Sequence, residues 1–162
     1  MTDGSSTNKM NAMNIRTNIL VVDDEEIVRR AHLRTLASER CAVHAVRSGA
    51  EALDAMQNQA YDVVLLDLRM PGMDGMSVLK TVKERWPEAE VIVITGYPCV
   101  ETAKEAIRLG AHDYLAKPVP PDEVIAATNC ALNRKQWLVR RERPAQEANP
   151  TRGACNQAGA AH

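Results

Sequence analysis

The stretch VVLLDLRMPGMDG, residues 63–75, decides the fold. Four aliphatic residues, Val63 to Leu66, run without a polar interruption and end on Asp67. A strand that is wet on one face alternates apolar and polar residues, whereas a continuous run marks burial on both faces, as in a parallel sheet covered by helices. Gly72 and Gly75 then bracket a loop, and a helical pattern starts at Gly75.

The same grammar repeats on both sides of this stretch. Ile19 to Val22 is an aliphatic run that ends in Asp23-Asp24, and Glu25 to Glu39 carries a helical stripe of Val28, Ala31, His32, Thr35 and Leu36. Cys41 to Val46 is predicted as a second, weaker strand, followed by a short helix over Ala50 to Gln57 after Ser48-Gly49. Downstream, Gly75 to Trp86 is a helix stopped by Pro87, and Val91 to Ile94 is a fourth strand. Val100, Ala103 and Ile107 mark the face of another helix, with Gly110 placed to end it. Tyr114 to Ala116 is a fifth short strand, and Pro121-Asp122-Glu123 opens a last helix, with proline and acids where a helix start favours them. Five strands alternating with five helices imply an α/β, doubly wound parallel sheet. Ligands of such sheets bind at the carboxyl ends of the strands.

Polar residues stand at those ends. Asp23 and Asp24 follow strand one, Asp67 strand three, Thr95 strand four and Lys117 strand five. Singly, each has a plain reading: a helix cap for Asp24, a turn for Asp67, a strand exit for Thr95, a surface lysine for Lys117. Together they put three carboxylates, a hydroxyl and an ammonium in one crevice. Two carboxylates about 4 Å apart repel by roughly 1 kcal/mol in water and about 4 kcal/mol at an effective dielectric of 20. A hard divalent cation relieves that repulsion, and magnesium takes carboxylates, waters and a phosphate oxygen. A lysine adds a point charge for phosphate. The pattern points to phosphoryl chemistry on a carboxylate.

Asp23-Asp24, Asp67 within VVLLDLRMPGMDG, Thr95-Gly96 and Lys117-Pro118 together resemble the signature of the response-regulator receiver domains of two-component signalling. The stretch ITGYPCVETAKEAIRLGAHDYLAKP, residues 94–118, is similar to receivers of the nitrogen-regulation class. The resemblance implies a flavodoxin-like sheet of strand order 2-1-3-4-5. It implies that Asp67 accepts a phosphoryl group from a histidine kinase or phosphotransfer protein. It implies Mg2+ held by Asp24, Asp67 and the Arg69 carbonyl, with Asp23 assisting. Lys117 matches the phosphate-binding lysine, Lys117-Pro118 a cis peptide, and Thr95 and Tyr114 the hydroxyl–aromatic switch pair. Four positions depart from the resembled pattern: Arg40 where a glycine is common, His32 where an aliphatic residue is common, Pro98 after strand four, and Pro120 before the last helix. His32 is expected to be a satisfied core residue.

Composition narrows the setting. Apolar residues make up 45% and charged residues 25%, with 20 basic against 21 acidic side chains, so a nucleic acid or membrane surface is not the expected partner. Aromatics are 3% and phenylalanine is absent, which leaves no platform for stacking bases. Cys41, Cys99, Cys130 and Cys155 form no C-x-x-C and are expected as free thiols in the cytoplasm. The chain divides into a flexible N-terminal arm (1–16), a receiver domain (17–136), and a helix extension with a disordered tail (137–162). Between 133 and 143, basic residues flank Trp137, Leu138 and Val139. That end reads either as a dimerisation or linker helix or as a solvated basic terminus. The expected output is contact with an unidentified downstream protein, with a homodimer through the last helix or the helix 4–strand 5–helix 5 face as a further option. The alternative is the N-terminal receiver of a longer transcriptional regulator. A phosphatase of the aspartate-nucleophile type is disfavoured, because Asp67-Leu68-Arg69 lacks the second aspartate of D-x-D.

Overall fold

The computed structural model describes residues 16–142; the N-terminal arm through residue 15, the end of the tail and Cys155 lie outside the described residues. Five strands, β1 (Thr17–Val22), β2 (Cys41–Val46), β3 (Val63–Leu66), β4 (Glu90–Thr95) and β5 (Asp113–Ala116), alternate with five helices. The helices are α1 (Glu26–Leu36), α2 (Gly49–Asn58), α3 (Gly75–Arg85), α4 (Val100–Arg108) and α5 (Pro121–Glu142). All strand pairs are parallel, in the order β2-β1-β3-β4-β5.

Strand alternation sorts the core into two layers. Leu20, Val22, Val64, Leu66, Val91 and Val93 face α2, α3 and α4, where Ala52, Met56, Val78, Leu79 and Val82 meet them. Ile19, Val21, Val63, Leu65, Ile92 and Ile94 face α1 and α5, meeting Leu36, Val124, Ala127 and Ala131. Val63 to Leu66 are buried on both faces, as their unbroken run requires. At roughly 1.5–3 kcal/mol per buried aliphatic side chain, this central strand alone outweighs any single polar contact in the molecule.

The helix ends follow their caps. Ser48 caps α2 by accepting from the Glu51 N–H at 3.2 Å. Gly110, at φ +102°, ends α4 in the left-handed region that favours glycine. Pro120 offers its carbonyl to the N–H groups of Glu123 and Val124, so it serves α5 without a side-chain cap.

Three expectations need correction. The first helix stops at Leu36 rather than Glu39, because Ala37 turns extended and Ser38 bridges Cys41; Arg40 donates to Ser38 Oγ within that turn, so β2 starts cleanly without a glycine. Of the α1 stripe, Ala31 is exposed. On α4, Val100 and Ile107 face solvent, and the helix docks through the small Ala106 with Leu109 beside it. Amphipathic spacing identifies an apolar face, and here a neighbouring face is the one the sheet covers.

Candidate functional site

Parallel pairing brings the carboxyl ends of β1, β3, β4 and β5 to one rim. Asp23 follows Val22, Asp67 follows Leu66, Thr95 closes β4 and Lys117 follows Ala116. Asp23 and Asp67 are buried, whereas Asp24 is exposed, yet one carboxylate oxygen from each of the three lies within 4.8 Å of the others. The donor set is all hard oxygen, the kind a small divalent cation takes, and three anions this close need a positive charge among them. The residues therefore fit a hard divalent cation.

Lys117 supplies part of that charge. Its Nζ donates to Asp23 Oδ2 at 2.7 Å and to Asp67 Oδ2 at 3.3 Å, and lies 3.6 Å from Glu25 Oε1. Burial works against its ammonium, but the hydrogen bonds and negative charges of Asp23 and Asp67 outweigh burial and raise its pKa. Asp67 is displaced the other way for a carboxylate. Burial pushes its pKa up, Asp23 adds repulsion, and the Arg69 N–H and Lys117 only partly offset this. Backbone groups fix the two buried aspartates: the Arg69 N–H donates to Asp67 Oδ1 at 3.1 Å, and the Glu25 N–H donates to Asp23 Oδ1 at 2.9 Å. The Lys117–Pro118 peptide is cis.

The two switch candidates are placed differently. Thr95 is buried; its Oγ1 accepts from the Tyr97 N–H at 3.2 Å and its carbonyl accepts from the Lys117 N–H at 2.8 Å. Tyr114 is half-buried on β5 beside β4, opposite Val93 in the register. Its hydroxyl shares a 2.7 Å hydrogen bond with Thr102 Oγ1 and accepts from the Cys99 N–H at 3.4 Å. Tyr114 thus already holds the first turn of α4, whose cap is the Cys99 sulfur.

Sequence reasoning missed several participants. Glu25 approaches Lys117, and Arg29 donates to the Asp23 carbonyl at 2.8 Å. Tyr97 lies under the Arg69 guanidinium, with 4.0 Å from guanidinium carbon to ring centroid. Cys99 and Thr102 stand at the three-residue spacing of a helix cap, the one signal that could have found them. His32 is buried as expected, but it is not satisfied: its Nδ1 has no hydrogen-bond partner. Burial lowers its pKa, so the ring stays neutral on α1.

A family profile described as the response regulator receiver domain matches residues 19–129. The chain is 39% identical over 118 residues to the DNA-binding transcriptional regulator NtrC of Escherichia coli K12, covering 73% of this chain and 25% of that protein. It is 38% identical over 124 residues to the alginate biosynthesis transcriptional regulatory protein AlgB of Pseudomonas syringae pv. tomato, covering 76% and 28%. The chain thus spans about a quarter of the length of the curated relatives it matches. Among solved structures, NtrX from Brucella abortus superposes with a TM-score of 0.73 at 32% identity, over 78% of this chain and 30% of that one. A CheY-like receiver domain from Methanospirillum hungatei superposes with a TM-score of 0.73 at 25% identity, over 76% and 98%. With the profile covering most of the chain, and with the fold and the strand-end residues in agreement with it, this chain belongs to the response regulator receiver domains of two-component signalling.

Proposed function

We propose that the chain is a phospho-accepting signalling module in which Asp67 takes a phosphoryl group from a histidine kinase or phosphotransfer protein. The observation that carries this is the meeting of Asp23, Asp24 and Asp67 with Lys117 at the carboxyl rim of the sheet. Asp23, Asp24, Asp67 and the Arg69 carbonyl are the groups that would hold Mg2+. The cation would supply charge neutralisation for the phosphoryl oxygens. Asp67 Oδ forms the new bond to phosphorus while the bond to the donor nitrogen breaks and the donor imidazole takes up a proton. Lys117 faces the oxygens that gain charge, and the buried setting strengthens that pairing. The only chemistry assigned is this self-phosphorylation and its slow reversal by water; no other substrate is turned over.

Thr95 and Tyr114 carry the signal outward in this reading. The phosphoryl group draws the Thr95 hydroxyl, and Tyr114 adjusts against the vacated space beside α4. The surface made by α4, β5 and α5 changes with it, and Val100 and Ile107 already stand exposed on α4. That surface meets a downstream protein or a second copy of the chain. Free thiols at Cys41, Cys99 and Cys130 fit a cytoplasmic setting, and no described helix is long and apolar enough to cross a membrane.

One observation favours a second reading: the chain matches only a quarter of its DNA-binding relatives. The module then serves as the receiver of a longer transcriptional regulator, with the same chemistry at Asp67.

The test is mass. With a small acyl or amido phosphate and Mg2+, the protein should gain one acid-labile phosphoryl group, and Asp67→Asn should gain none. Labelling of Asp67→Asn at the wild-type rate would place the acceptor elsewhere.

A further inference from the structure

Among the described residues, His32 Nδ1 is the one sealed side-chain polar atom without a hydrogen-bond partner, and only 8% of the residue is exposed. A buried nitrogen left unpaired costs stability that a satisfied one does not. The same ring lines a cavity of about 620 Å³ between α1 and the segment that joins β5 to α5. That volume lies within the range of small-molecule pockets, roughly 300–1,000 Å³. Val28 and Ala31 of α1, Ile94 of β4 and Val119 supply apolar wall, and Glu25 and Lys117 line it as well. An apolar cavity with one buried polar group in its lining has the make-up of a binding site rather than of a packing fault.

The lining selects the occupant. The aliphatic walls favour an apolar body, because its surface leaves water on entry. His32 calls for a single hydrogen bond. Burial lowers its pKa more than the charge of Asp23 raises it, so the ring is neutral, with one nitrogen donating and the other accepting. A hydroxyl both donates and accepts, so it suits whichever nitrogen it meets. A charged ligand finds no free counter-charge: Lys117 Nζ is already engaged by Asp23, Asp67 and Glu25. The Glu25 carboxylate in the lining also repels an anion. We propose that this cavity is a small-molecule site for an uncharged ring compound bearing a hydroxyl, a phenol, with its ring against Val28, Ala31, Ile94 and Val119 and its hydroxyl on His32. The site goes beyond the phosphoryl chemistry and stands whether or not Asp67 is the acceptor.

The probe is para-ethylphenol. Its controls are ethylbenzene, the same body without the hydroxyl, and para-ethylbenzoate, the same body with a charge. The full chain, isotope-labelled and without phosphoryl donor, is titrated with each, and NMR follows the His32 ring nitrogens and the amides of α1. A molecule this small should bind at about 1 mM or tighter. Para-ethylphenol should shift the His32 ring nitrogens. Ethylbenzene should bind about two- to tenfold more weakly, the worth of one hydrogen bond between neutral groups. Para-ethylbenzoate should not bind. In His32→Leu the two uncharged probes should bind alike. Ala31 is exposed on the cavity wall, so Ala31→Phe should leave the fold intact and block both probes, which keeps the test decisive if His32→Leu fails to fold. An absent shift at His32 with para-ethylphenol would overturn the site. So would equal binding of para-ethylphenol and ethylbenzene to the wild type, equally tight binding of para-ethylbenzoate, or undiminished binding to Ala31→Phe.

Discussion

Lys117 sits closer to Asp23 than to the proposed acceptor: its Nζ is 2.7 Å from Asp23 Oδ2 and 3.3 Å from Asp67 Oδ2. The ammonium is held mainly by Asp23, which leaves Asp67 Oδ2 more weakly engaged, as the proposed role of Asp67 requires. In this arrangement a lysine does part of the neutralising work assigned to a divalent cation.

Removing that lysine should therefore cost stability and raise the dependence on metal. Lys117→Met leaves Asp23 and Asp67 buried beside one another without their counter-charge. Breaking such a pair costs about 3–5 kcal/mol when fully buried; the partial exposure of Lys117 reduces this to about 2–4 kcal/mol. Urea unfolding should show the loss, and added Mg2+ should recover more of it in the variant than in the wild type. Equal stability of the two proteins without Mg2+ would contradict this account.

The raised pKa of Asp67 makes a prediction about pH. Its folded pKa stands above the ordinary value of 3.8, so the folded protein binds this proton more readily than the unfolded chain. Its contribution favours folding below the ordinary value and is lost as pH rises through the raised one. At neutral pH the buried charge is a cost that Asp67→Asn removes. In chelator at pH 7 the variant should melt a few degrees higher, the scale on which about 1 kcal/mol moves Tm. The difference should shrink as the pH falls toward the ordinary carboxylate value. A variant that melts lower at pH 7, or a gap that widens in acid, would show that pairing to Lys117 outweighs burial.

The Tyr114 hydroxyl holds the first turn of α4 through Thr102 and Cys99, so Tyr114→Phe should loosen that turn. The expected loss is about 1 kcal/mol, with faster amide exchange at the start of α4 and little change in α2 or α3. Thr95→Ala should retain phosphorylation while weakening the response of residues 98–125. Amide NMR shifts with and without a phosphoryl mimic measure it, and a full wild-type response in Thr95→Ala would rule out this route from pocket to surface.

Gly75 is required by closeness rather than by conformation. A Cβ there would stand 2.5 Å from Leu68 Cα and 2.7 Å from the Asp67 carbonyl oxygen. Gly75→Ala must push the backbone on either side of the Asp67–Leu68 peptide bond, at a cost of about 1–3 kcal/mol. Phosphorylation should slow along with the loss of stability. By contrast Gly96→Ala meets nothing closer than 4.0 Å and should be mild.

The strand-end residues were legible because each follows an aliphatic run, and a parallel sheet brings such positions together whatever the loops do. Asp23, Asp24, Asp67 and Lys117 needed only that rule. Arg69 over Tyr97 did not follow from it, because the meeting of two loop side chains depends on how far each loop leans over the rim. The outward turn of Val100 and Ile107 was hidden for another reason. Their spacing shows that an apolar face exists on α4, whereas which face is covered depends on packing partners that spacing does not name. His32 was rightly read as buried, but hydrogen-bond satisfaction depends on three-dimensional neighbours that a stripe does not name.

The last helix runs without a break from Pro121 to Glu142, about 33 Å at 1.5 Å per residue. Its start lies four residues beyond Lys117, and Lys135 binds Asp62 at 2.7 Å at the amino end of the central strand, β3. Beyond Lys135, the last ion-pair anchor among the described residues, about 10 Å of helix runs on to Glu142. A stiff rod held at such a fulcrum converts angle into distance: a 5° tilt displaces its tip by roughly 1 Å. Trp137, Leu138 and Val139 stand exposed on that last stretch, so a rotation of the helix near the pocket would reach them enlarged.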